Sequence, residues 1–190
     1  MGAIESFWAL LGVPPKTARG KRRAPAHALP ETESVRKIVD ALEHLEPAEA
    51  RYLAAFAYML SRVASADRGT SAEETRVIEQ ILGDKGNLTV EQAALVAEIA
   101  RHQTDLFGST ENFLVGREFD KIATREQKIG LLHCLFAVSA ADQSISSVED
   151  HEIRKISREI KLDHEDYIAV RLDYRKSLEV LKRIPRGKQS

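Results

Sequence analysis

The chain has 190 residues, 43% of them hydrophobic and 30% charged, and its 28 Lys+Arg against 29 Asp+Glu leave a net charge of -1. That length suits one compact domain or two closely packed halves. The balanced charge provides no general field for nucleic acid or membrane. The lone Cys134 excludes a disulfide framework and a cysteine-rich zinc site, and it sits in an apolar run where a thiol is a small core residue. No apolar run approaches the roughly 20 residues that span a bilayer. A short apolar stretch followed by basic residues is the reverse of a signal peptide, so a cytoplasmic location is expected.

Residues 1–31 read as a leader and linker. Ile4, Phe7, Trp8 and Leu11 have the spacing of a short amphipathic helix. A segment with four prolines and the bases Lys16, Arg19, Lys21, Arg22 and Arg23 follows, up to Pro30. Its plain reading is a solvated tether, and its functional one a weak peripheral membrane contact through an apolar tip and a basic tail. Residues 32–182 form the helical domain, in halves 34–107 and 109–182, and 183–190 are a basic tail.

From Ser34 the period is helical almost without a break. Val35, Ile38, Val39, Leu42 and Leu45 mark a first helix. Pro47 opens a second, to about residue 66, whose wide apolar cover makes it central. Ser71 opens a third that closes near Gly83, and Thr89 with Gln92 forms a capping box for a fourth, through about Leu106. The order then repeats. A helix over about 110–122 is interrupted by Gly116, and Thr124 with Gln127 caps a helix that is apolar nearly all round. Ser146 opens the seventh, and Asp163, with Asp166 three residues on, opens the last, toward Leu181.

One stretch occurs twice. Ala66-Asp67, Ser71, Glu74, Ile78 and Ile81 match Ala141-Asp142, Ser146, Glu149, Ile153 and Ile156 at a constant offset of 75 residues. The expected fold class is all-α, a pseudo-twofold duplicated bundle of about eight helices. Ser-x-x-Glu before apolar helical periodicity is a capping box, worth ~1 kcal/mol, and the isoleucines are core. The aspartates need another reason, because an acid ending a helix opposes the macrodipole. Two readings stand: Asx bonds that shape the turn, or a divalent cation shared by Asp67, Glu74, Asp142 and Glu149, with Glu73 and Asp150 adding oxygens. The spacing is not that of an EF-hand.

His133 in its apolar run reads as a hydrogen-bonded core histidine. His151, Arg154, Lys155, Arg158 and Lys161 give one helix a basic face, which reads as solvated. No phosphate loop, zincin pair or Gly-x-Ser-x-Gly occurs.

The paired Ala-Asp and Ser-x-x-Glu units, with Leu162-Asp163-His164-Glu165-Asp166-Tyr167 running on to Arg171 and Tyr174, resemble the tellurite-resistance TerB family and the N-terminal domain of DjlA co-chaperones. The resemblance covers about residues 34–180. It implies a helical bundle and clustered acids with suspected metal binding, carried here by Asp67, Glu74, Asp142 and Glu149. Arg68 and Gln143 stand where the family often has glycine, and no His-Pro-Asp occurs, so no J domain is expected. The function implied is a non-enzymatic stress-response interaction module with a protein partner at the inner face of the membrane. The alternatives are a small metal-dependent enzyme using the same acids and a peripheral membrane adaptor using the leader. No nucleic acid is expected as a partner, and the sequence does not fix the oligomeric state.

Overall fold

A computed structural model of the chain describes residues 33–63, 72–102, 112–141 and 144–182. The predicted leader and basic tail lie outside the described residues. Eight helices follow one another: α1 (Glu33–Glu43), α2 (Pro47–Ser61), α3 (Ala72–Gly86), α4 (Val90–Arg101), α5 (Asn112–Ile122), α6 (Arg125–Ala140), α7 (Ser147–Glu159) and α8 (His164–Asp173). A short helical turn, α9 (Glu179–Lys182), comes last. The described chain is all-α; its one β feature is an isolated parallel bridge between Ile145 and Leu178.

Helices α2 and α6 are central, as their apolar cover predicts. Every residue of α2 from Leu53 to Ser61 is buried, and so are Leu131, Leu132, Cys134, Leu135, Phe136 and Ser139 of α6. A helix apolar on all sides must be covered on all sides. Around α2 lie α1, α4 and α5; around α6 lie α3, α7 and α8; and the two central helices touch each other. The cover is unequal, since α3 lies extensively along α6 whereas α7 makes no comparable backbone approach to α2. Tyr52 and Phe56 of α2 and Phe119 of α5 form one aromatic cluster, with Tyr52 stacked on Phe119 at 5.5 Å. Phe136 of α6 forms another with Tyr167 and Tyr174, stacking on Tyr174 at 5.4 Å.

The predicted helix starts hold where local side-chain chemistry sets them. Thr89 with Gln92, Thr124 with Gln127, and Ser146 with Glu149 each close a reciprocal capping box. Pro47 occupies the first turn of α2.

Helix ends differ more. Helix α2 ends at Ser61, short of the predicted residue 66, and Arg62 and Val63 leave it in a turn. Helix α3 runs through Gly83 to Gly86, because the left-handed closing position falls on Asn87 at φ 54. Helix α4 ends at Arg101, ahead of the predicted Leu106. Helix α5 passes through Gly116 without interruption. Helix α8 stops at Asp173, well before the predicted Leu181, since the chain turns to pair with the loop ahead of α7. There the Ile145 N–H donates to the Ser177 carbonyl at 2.8 Å, and the Glu179 N–H donates to the Ile145 carbonyl at 3.1 Å. Ile153 and Ile156 are core, whereas Ile78 and Ile81 pack partly buried against it.

Candidate functional site

Of the four predicted acids, Asp67 and Asp142 lie outside the described residues, as do the side chains of Glu73 and Glu74. Glu149 is described, and it serves its own helix. Its Oε2 accepts from the Ser146 N–H at 2.8 Å and from the Ser146 hydroxyl at 2.6 Å, while its N–H donates to the Ser146 Oγ at 3.2 Å. Whether Glu149 meets the other three acids falls outside the described residues. Among the described residues, no group of three or more His, Cys, Asp or Glu side chains is placed to hold a metal ion.

Asp150, the additional oxygen donor read from the sequence, is tied to α8. Arg171 grips it with two bonds, Nε to Oδ1 at 2.9 Å and Nη2 to Oδ2 at 2.7 Å, and the Tyr167 hydroxyl donates at 3.1 Å. Burial pushes the Asp150 carboxyl up, but the Arg171 bonds and charge outweigh it and hold the group below its usual value. Tyr167 is raised to about 12 by its burial and by the Asp150 charge beside it.

This network forms a wall of a groove between α7 and α8. Its larger part, about 350 Å³, takes in Asp150, His151, Arg154, His164, Ile168 and Arg171. A second part of about 230 Å³ is lined by Arg158 and Leu162, and it shares Arg154, His164 and Tyr167 with the first. The floor is aromatic, with His164 stacked on Tyr167 at 6.3 Å and Tyr167 against Phe136.

On the opposite flank of α7 lies a buried ion cluster that periodicity did not suggest. Arg62, with a side chain only 5% exposed, reaches Glu152 through Nε at 2.9 Å and Nη2 at 2.6 Å, and reaches Glu159 through Nη1 at 2.5 Å. Burial lowers the Arg62 pKa, and the two carboxylates more than restore it. Two carboxylates on one guanidinium fasten the end of α2 to α7. Asp120 likewise joins three elements, bonding Lys128 of α6 at 2.7 Å and Lys161, just after α7, at 2.6 Å.

His133, expected as a core histidine, is half-buried. The Tyr174 hydroxyl donates to its carbonyl at 3.1 Å, and burial lowers its ring pKa.

The chain has a counterpart among known protein families. A family model described as Tellurite resistance protein TerB matches residues 52–172, from within α2 to within α8. The chain belongs to the TerB family. No curated protein and no solved structure gives a significant match. The TerB match takes in α2 from Tyr52 onward, all of α6, the Arg62 cluster and the residues that line the α7–α8 groove. No helix among the described residues is long and apolar enough to cross a membrane.

The basic face of α7 is legible in the sequence, but the groove that His151, Arg154 and Arg158 line is not. The signal was partial: His151, Arg154 and Arg158 share one helical face, but the α8 wall depends on a bend no spacing rule gives. Arg62 carried no signal, because its partners lie 90 and 97 residues away.

Proposed function

We propose that this chain is a non-catalytic, cytoplasmic interaction module that serves a tellurite-type stress response by binding a protein partner at the inner face of the membrane. The match of residues 52–172 to the tellurite-resistance family carries this reading. The electrostatics agree with a scaffold. Among the described residues, the carboxylates with shifted pKa values all lie below their usual range. Glu91 and Glu126 are lowered mainly by hydrogen bonds at their helix starts, and in Glu98, Asp120 and Asp150 the upward push of burial is outweighed by cationic partners. A general acid working near neutral pH needs the opposite shift.

Deleting the gene in its own host and growing the cells on potassium tellurite tests the stress role. Reduced tolerance, restored by the wild-type chain, is the expected result; growth equal to the parent strain removes it. For the acids, the turn-shaping role comes first and a divalent cation second, since Glu149 already closes its cap. Calorimetric titration of calcium, magnesium and zinc into the wild type and an Asp67→Asn/Asp142→Asn variant decides between them. Stoichiometric heat that the variant loses makes the acids ligands, and no heat in either leaves them as turn formers.

A further inference from the structure

The cations around α7 and α8 divide into two sets. Arg171 is held by Asp150, Arg125 by Asp166 and Lys161 by Asp120, and Lys155 lies 4.0 Å from Glu152. Arg154 and Arg158 are exposed, and among the described residues neither guanidinium has a carboxylate within ion-pair distance. They stand one helical turn apart on α7 and both line the groove. Asp150, the acid in the groove wall, already has its charge matched by Arg171.

We propose that the α7–α8 groove docks a carboxylate-rich segment of a partner protein, with Arg154 and Arg158 pairing its acids and Ile168 taking an apolar side chain. This inference rests on the interaction-module reading and names the chemistry of the partner. Charge complementarity is the first argument: two guanidiniums without an ion-pair partner among the described residues, in a concave site, favour an acidic strand over a neutral one and reject a basic one. Size is the second. Two adjoining cavities of about 350 and 230 Å³ that share Arg154, His164 and Tyr167 hold more than a single oxyanion fills. Composition is the third. Ile168, 37% exposed, lines the same cavity as Arg154, so an apolar side chain stands in the groove with a cation. A flat anionic membrane is a poorer fit, because exposed Asp163 and Glu165 flank His164 and would meet the same surface.

The test titrates an acetylated, amidated octapeptide of glutamates around a central leucine into the isotope-labelled full chain at low salt, followed by amide NMR. Shifts confined to α7 and α8 are expected, weakening as salt rises. An Arg154→Ser/Arg158→Ser variant is expected to bind roughly tenfold more weakly with an unchanged melting curve, since both residues are exposed. An Arg101→Ser/Lys121→Ser variant, which removes the same charge elsewhere, should bind as the wild type does. Failure of the wild type to bind, or equal binding by the Arg154/Arg158 variant, overturns the proposal. Saturation of the same residues by inorganic phosphate, with no gain from the leucine, reassigns the groove to small anions and overturns it too. So does arginine-dependent binding to phosphatidylglycerol vesicles without peptide binding. Tellurite tolerance separates the two levels. A deletion strain fully rescued by the Arg154/Arg158 variant removes the groove and leaves the stress role, whereas a tolerant deletion strain with intact peptide binding does the reverse.

Discussion

A methyl group placed on Gly116 would stand 2.9 Å from the β-carbon of Glu159, closer than real β-carbons approach their neighbours. The glycine in the middle of α5 is there to let α7 come near, and Glu159 uses that approach to reach Arg62. Gly116→Ala gains roughly 1 kcal/mol of helix propensity, but the contact is with the base of the glutamate side chain, which cannot swing away freely. Overpacking of this kind costs about 1–3 kcal/mol. The variant should be destabilised on balance, with a lower urea midpoint. A midpoint above that of the wild type would mean that α5 and α7 separate easily and that the glycine has no packing role.

Arg62 sits between two glutamates in a place nearly closed to solvent. Removing it leaves Glu152 and Glu159 facing each other without their shared cation. Breaking a buried pair in this way costs about 3–5 kcal/mol, so Arg62→Met should lose most of that despite its similar length. Adding Glu152→Gln and Glu159→Gln should recover a substantial part, because the stranded charges are then gone. Chemical denaturation of the single and triple variants measures both effects. If the single variant melts like the wild type, the cluster contributes no net stability.

The features legible in the sequence are those set within one helical turn. Thr89, Thr124 and Ser146 each find a partner three residues on, so their capping boxes were readable and hold in the structure. The central place of α2 and α6 was readable from apolar cover alone. Helix ends were less so, because they answer to contacts remote in sequence. Helix α8 gives way at Asp173 to reach Ile145, and α3 continues past Gly83 because Asn87 takes the left-handed position. Gly116 looked like a break, since nothing near it in sequence announces Glu159. The candidate groove was half visible, as a basic face on α7. Its second wall arises from the Asp150–Arg171 grip, which no local rule supplies.

Asp150 makes that grip sensitive to acid. Its folded-state pKa is lowered from the usual 3.8. A depressed carboxylate contributes stability that is fully present above the unfolded value and is lost as pH falls through the folded value. The α7–α8 tie should therefore be intact above about pH 5 and weaken progressively through and below 3.8. Asp150→Asn should lower the neutral-pH stability and flatten part of the acid-side decline. Urea midpoints from neutral pH down to about pH 3, compared for the two proteins, check this. Parallel curves would show that the pair does not drive the acid response.

Tyr52 presents the reverse case, a polar group whose removal should help. Its ring packs on Phe56 and Phe119, its buried hydroxyl has no hydrogen-bond partner among the described residues, and burial pushes its pKa well up. A buried hydroxyl without a partner carries a desolvation cost of about 1–3 kcal/mol, while the ring itself stacks on Phe119 at 5.5 Å. Tyr52→Phe keeps the ring and discards the hydroxyl, so the aromatic cluster between α2 and α5 should survive unchanged. The variant is expected to match or exceed the wild type, by up to roughly 1 kcal/mol once the small void left behind is counted. Thermal and urea melts measure it. A loss beyond about 1 kcal/mol would show that the hydroxyl has a partner in solution, such as a bound water between the two helices.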